Sequence, residues 1–268
     1  MLKTVDLAKQ FMVTGQGRNG KSTWFDLINA ILGEENCTTM SPNDLTNTFR
    51  ASTLVNKLAS LAADISAKPL SETSTLKNIS AGDRIMIEKK FKDAYEGRVF
   101  ATLFFAMNKL QRTPDTSFGF YRRQIIIPFN ADLTKVKNVE GAMFKRKLLS
   151  QDSIDYVAYK SVQAIYRVYT TTQEFTEPES VIAMKNAYRI NNSSILSWFK
   201  EEFVDNKINP TPEEKEAGIQ RIKKMQLGNA YTKYADWCKE TNKQALARPN
   251  FEEEMKIELG VSWGDAEN

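Results

Sequence analysis

Residues 9–23 read Lys9-Gln10-Phe11-Met12-Val13-Thr14-Gly15-Gln16-Gly17-Arg18-Asn19-Gly20-Lys21-Ser22-Thr23, and this stretch decides the fold. It opens on a short apolar run, residues 9–14, which ends at glycine and predicts a buried strand. It leads into residues 22–32, where Trp24, Phe25, Ile28, Ile31 and Leu32 recur at helical spacing before Gly33 stops the pattern. Between the two, Gly15 to Ser22 fit G-x-x-x-x-G-K-[ST]. Glycines let the backbone curl until successive N–H groups face a phosphate. The dipole at the start of the following helix favours an anion at the same place. Lys21 is then placed to reach β- and γ-phosphates, and the Ser22 hydroxyl to hold Mg²⁺. The expected ligands are ATP and Mg²⁺, with residues 15–23 as the nucleotide-contact segment.

Working outward, residues 58–65 predict a second strand with Asp64 at its carboxyl end. A carboxylate there can bind Mg²⁺ and help orient an attacking water. Residues 99–107 are the most apolar strand and end at Asn108, placed to sense a γ-phosphate; a turn-forming asparagine is the plain alternative. Arg122 and Arg123 precede a last strand over residues 123–129. Either arginine could stabilise transition-state charge in a neighbouring subunit, which requires an oligomer. The candidate catalytic set is therefore Lys21, Asp64, Asn108, Arg122 and Arg123. Residues 76–80 predict a helix that stops at Ala81-Gly82-Asp83. Residues 84–88 and 98–100 predict the arms of a hairpin whose tip, 89–97, carries Lys89, Lys90 and Lys92. Strands alternating with helices imply an α/β sheet with helices packed on it.

Beyond residue 129 the character turns helical. Residues 152–170 carry Ile154, Val157, Ala158, Ile165 and Val168 on one face, and helices are also expected over 180–190 and 194–204. The polar, proline-bearing stretch 206–215 reads as a linker. An aromatic helix over 227–241 follows, then a last helix capped by Asn250 with Glu253 at the capping-box position.

Composition narrows the chemistry. The chain has no histidine, which removes His-based zinc sites and Ser-His-Asp triads. Two distant cysteines make no disulfide framework and fit a reducing, cytoplasmic compartment. No segment approaches the roughly 20 apolar residues of a membrane span, and residues 1–10 carry no secretory signal. The net charge of +4 permits nucleic-acid binding without arguing for it.

Five stretches now resemble, in order and spacing, the superfamily 3 helicase domain of phage and plasmid primase–helicases (the poxvirus-type, phage primase C-terminal family). They are GQGRNGKST at 15–23, LAADIS at 61–66, LKNISAGD at 76–83, FFAMNKLQ at 104–111 and GFYRRQIIIPF at 119–129. The resemblance implies an AAA+-like P-loop ATPase core with a central parallel sheet over residues 1–135. A helical extension over 136–205 and a small, partial winged-helix-like DNA-binding region over 206–268 would follow. It further implies a homo-oligomeric ring, usually a hexamer, that moves along single-stranded or forked DNA beside other replication proteins. In such a ring a basic hairpin enters the channel, where Phe91 or Tyr95 could pack on bases. Lys77 and Asp83 match the motif just before that hairpin.

One departure matters. Many relatives carry two adjacent acids where this sequence has Ala63-Asp64. The activity that the resemblance implies is that of an ATP-dependent DNA helicase or translocase. Its rivals are a protein-remodelling or loader ATPase of the same fold and an ATP- and DNA-binding regulatory module with little turnover.

Overall fold

The computed structural model describes residues 7–136 and 142–263. The signal-peptide reading of residues 1–10 thus lies partly outside the described residues. The chain divides into two compact units, residues 1–185 and 186–268.

The first unit is built on a five-stranded parallel sheet. Its strands are β1 (Gln10–Thr14), β2 (Cys37–Thr38), β3 (Ala59–Ile65), β6 (Thr102–Met107) and β7 (Gln124–Pro128), in the spatial order β2-β3-β6-β1-β7. The register aligns Phe11 with Phe104 and Ile125, and Leu61 with Phe104. All six residues of β6 are buried, as a central parallel strand covered on both faces requires. Helix α1 (Lys21–Leu32) covers one face, where Phe25 and Trp24 meet a stacked Phe11–Phe104 pair with centroids 4.9 Å apart. The short α2 (Thr48–Ala51) precedes β3, and α3 (Ser74–Ala81) follows it. Gly82 ends α3 at φ +69°, and the Asp83 N–H returns to the Asn78 carbonyl at 2.9 Å. That left-handed cap is open to glycine at little cost.

The hairpin is present but its tip is tighter than the sequence suggests. Strands β4 (Arg84–Lys89) and β5 (Lys92–Arg98) pair from Arg84↔Arg98 to Lys89↔Lys92. Only Lys90 and Phe91 turn the chain. Nearly every residue of β5 is exposed, so no alternation of apolar and polar residues marks it as a strand. After β6 come α4 (Phe118–Tyr121), β7, α5 (Ala142–Leu148) and the long α6 (Gln151–Thr170). Helix α7 (Glu179–Asn192) runs through the boundary between the units.

The second unit contains α8 (Ser194–Phe203), α9 (Pro212–Lys223), α10 (Leu227–Glu240) and α11 (Arg248–Leu259). They enclose an aromatic core in which Trp198, Tyr234 and Phe251 are fully buried. No strand occurs among its described residues. Two local expectations are corrected here. Residues 206–215 are not simply a linker but hold the start of α9: Thr211 and Glu214 form a reciprocal capping box around Pro212. T-P-E-E is itself a helix-start signal. The last helix starts at Arg248 with Pro249 in its first turn, so Asn250 lies inside the helix and caps nothing. Among the described residues no helix is long and apolar enough to cross a membrane.

Candidate functional site

Strand β1 delivers Gly15 to the carboxyl edge of the sheet, where the Gly15 N–H donates to the Met107 carbonyl of β6 at 3.3 Å. A side chain at Gly15 would collide with the Phe129 carbonyl and the Asn19 amide, so the chain passes there only as glycine. Gln16, Gly17 and Arg18 are exposed, while Asn19 is buried. The Asn19 amide donates to the Phe129 carbonyl at 2.7 Å and ties the loop to the end of β7. Gly20 turns the chain into α1 at φ +90°, and its carbonyl accepts the Trp24 N–H at 2.9 Å. The N–H groups of the first helical turn have no carbonyl within the helix to bind. Lys21, Ser22 and Thr23 therefore open a helix whose start attracts anions.

The Lys21 ammonium lies back across the loop. It donates to the carbonyls of Gly15 (2.5 Å) and Gln16 (3.3 Å) and to the Oδ1 atoms of Asn19 (3.0 Å) and Asn108 (3.3 Å). Partial burial pulls its pKa below the usual lysine value, and the Asp64 carboxylate acts in the opposite direction. Lys21 thus contacts Asn108 at the end of β6, and Asp64, at the end of the adjacent β3, acts on it through its charge.

Asp64 reaches this point through an irregularity in β3. Ala62 pairs with Phe105 and Ile65 with Met107, so Ala63 and Asp64 together oppose one residue of β6. Asp64 has φ +54°, a left-handed conformation for a non-glycine residue. Such bulges re-aim side chains, and both Ala63 and Asp64 leave the buried run 59–62 and become exposed. Ala63 and Ser22 line the same open cleft of about 450 Å³, together with Asp26 and Thr39. Among the described residues no three acidic or cysteine side chains gather as a metal site. Asp64 does not line the cleft that Ser22 and Ala63 share; the oxygen donors that the helix start and the end of β3 could offer a hydrated Mg²⁺ are the Ser22 hydroxyl and the Asp64 carboxylate.

The two arginines lie elsewhere. Gln124 pairs with Gln10 at the amino edge of the sheet, so Arg122 and Arg123 sit a full strand away from Gly15. For a five-residue strand that is about 16 Å. Neither arginine joins Lys21 within one chain. Arg123 is partly buried and donates to the Gly119 carbonyl at 2.5 Å. Desolvation and the charge of Arg122 depress its pKa, against Asp83 and Asp115. Arg122 is exposed.

Lys77 donates to Asp115 at 2.8 Å, and Thr73 also binds that carboxylate. Burial alone would raise the Asp115 pKa, but hydrogen bonds from Lys77, Ser117 and Thr73 outweigh it and hold the group at about 2. Its contribution to stability is complete above the unfolded pKa near 3.8 and disappears as pH falls through about 2. The gap in stability between wild type and Asp115→Asn is therefore expected to narrow from pH 4 to pH 2, by on the order of 2 kcal/mol. Urea unfolding at a series of pH values checks this; a gap independent of pH would mean that Asp115 has no such coupling.

At the hairpin tip Lys89, Lys90 and Lys92 are all exposed, and Phe91 is completely so. Phe49 of α2 faces the same cleft of about 540 Å³ as the three lysines and Phe91. Sequence reading missed Phe49, since no motif or periodicity singles it out.

A sequence profile of a family of unknown function, DUF5906, matches residues 13–123, the segment that carries the loop, Asp64, the hairpin and Asn108. Solved structures of the NrS-1 C-terminal region are similar over a longer stretch. An A-form apo structure is 18% identical with a TM-score of 0.54, covering 80% of this chain and 53% of that one. The apo structure of residues 305–718 is 16% identical with a TM-score of 0.53, covering 85% and 50%. This chain shares its fold with the NrS-1 C-terminal region. It spans about half the length of the NrS-1 chains it matches.

Proposed function

We propose that this chain is the ATP-driven motor of a phage-type DNA replication protein, acting as a helicase or translocase. The observation that carries the reading is the contact of Lys21 with Asn108 at the glycine-rich loop between β1 and α1, with Asp64 ending the next strand of the sheet. The likeness to the NrS-1 C-terminal region supports a replication protein of the primase–helicase kind.

In this reading residues 15–23 cradle the phosphates of ATP, and Lys21 exchanges its loop carbonyls for β- and γ-phosphate oxygens. Ser22 and Asp64 hold Mg²⁺, which when bound neutralises charge on those oxygens. Asn108 orients the γ-phosphate or the attacking water, whose oxygen bonds to the γ-phosphorus as the bond to ADP breaks. Arg122, exposed and a strand away from its own loop, is the arginine suited to the site of a neighbouring copy in a homo-oligomeric ring. The test is strand separation on a forked duplex, with molecular mass measured alongside in the presence of an ATP analogue and single-stranded DNA. ATP turnover without strand separation would favour a loader or remodelling ATPase.

Ala63 favours a second reading, a nucleotide- and DNA-binding regulatory module with little turnover. Its position on the Ser22 cleft leaves room for a carboxylate. Ala63→Asp is expected to raise turnover several-fold at saturating ATP, measured by phosphate release. An equal or lower rate would mean that Asp64, or another group, already does this work.

A further inference from the structure

Helix α6 has no fully buried residue along its 20 positions. Its inner face carries the half-buried Ile154, Val157, Ala158, Ile165 and Val168, and the helix packs on α1. The opposite face is aromatic and bare: Tyr156 is 64% exposed, Tyr159 61%, Val162 65% and Tyr166 70%. Large apolar groups this open, grouped on one rigid element, mark an interaction surface.

The pattern on that face has two parallel rows. Tyr159, Val162 and Tyr166 follow i, i+3, i+7 and form one. Tyr156, Lys160, Gln163 and Arg167 follow i, i+4, i+7, i+11 and form the next. Each tyrosine of the first row, Tyr159 and Tyr166, is followed directly by a cation, Lys160 or Arg167. Both pairs therefore repeat after two helical turns, about 10.5 Å along the axis. Gln163 donates to the Tyr159 hydroxyl at 2.7 Å and props that ring along the helix. The acidic residues of α6, Asp152 and Asp155, are confined to its amino-terminal end. Arg146 and Lys147 of the preceding α5 are exposed as well, while Lys145 is engaged with Asp26 of α1 at 2.6 Å.

We propose that the outer face of α6 is a second contact surface for single-stranded DNA, in which Tyr159 and Tyr166 stack on bases and Lys160 and Arg167 meet phosphates. This rests on the reading that the chain acts on DNA, and adds a contact outside the hairpin. Aromatic platforms beside a cationic track bind single strands without regard to sequence. A second copy of this chain fits less well, because Val162 is the only aliphatic side chain in the rows, and two such faces packed together would bury little aliphatic surface.

The test uses fluorescence anisotropy with a labelled oligo-dT over a salt series, with molecular mass followed by light scattering. Tyr159→Ser with Tyr166→Ser is expected to weaken binding at least about tenfold with little change in salt slope. Tyr159→Phe with Tyr166→Phe keeps the stacking face and is expected to keep the affinity. Lys160→Gln with Arg167→Gln is expected to lower the salt slope of log affinity by about 1.4. If the serine and glutamine variants bind like wild type while loss of the hairpin lysines weakens binding, the α6 surface is overturned and the DNA reading stands. If wild type binds no single strand, both fall. If the serine pair breaks up an assembly and each released copy keeps its DNA affinity, the face joins copies of the chain and the proposal is overturned.

Discussion

Lys21→Ala is expected to lower ATP turnover by about 100-fold or more, because in the proposed reading it removes the cation that meets the charge developing on the β- and γ-phosphates. The folded state should tolerate the change. Two of the four acceptors on Lys21, Gln16 and Asn108, belong to exposed residues, and water can replace the ammonium there. Asn19 keeps its own anchor on the Phe129 carbonyl at 2.7 Å, so the loop should hold its shape. Phosphate release under saturating ATP gives the rate, and far-ultraviolet circular dichroism shows whether the helices persist. Wild-type turnover in a folded variant would place the chemistry at another site.

Replacing Lys89, Lys90 and Lys92 together with alanine carries the second large effect. Binding of single-stranded DNA and unwinding should weaken strongly, and the salt slope of log affinity should fall by about 2, at about 0.7 per phosphate contact on single strands. Basal ATP hydrolysis should stay close to wild type. The three lysines stand at the end of a separate two-stranded ribbon, while Lys21 lies at the edge of the five-stranded sheet. They are exposed, and surface changes of this kind usually shift stability by no more than about 0.5 kcal/mol. Anisotropy and ATPase measured on the same preparation separate the outcomes. An unchanged slope removes the hairpin from the DNA path; a collapse of ATPase in parallel would show that the ribbon supports the nucleotide site as well.

Both experiments start from residues named by sequence alone, and the reason is that their signals are short-range. The glycines of residues 15–22 report local backbone freedom, and the runs before Asp64 and Asn108 report strands buried on both faces. Helix starts were less legible. Pro249 and the Thr211–Glu214 box set where α11 and α9 begin, although Asn250 and the polar character of residues 206–215 point to a later cap and a linker. The β5 arm escaped for a different reason: a strand with nearly every residue exposed has no hydrophobic period to read.

By itself, the sequence determined an α/β chain with a glycine-rich loop between its first strand and first helix, an acid and an asparagine at later strand ends, and a basic hairpin. Spacing and side-chain type suffice for these, because each depends on residues within a turn or a strand of one another. Tertiary structure decided what required distant segments to meet. Parallel pairing brings Asn108 within 3.3 Å of Lys21 and sends Arg122 and Arg123 to the opposite sheet edge. The bulge in β3 turns Ala63 and Asp64 out of the core. The packing of α6 on α1 settles which of its two apolar faces is covered and leaves the tyrosines bare, a choice that helical periodicity alone cannot make because both faces satisfy it.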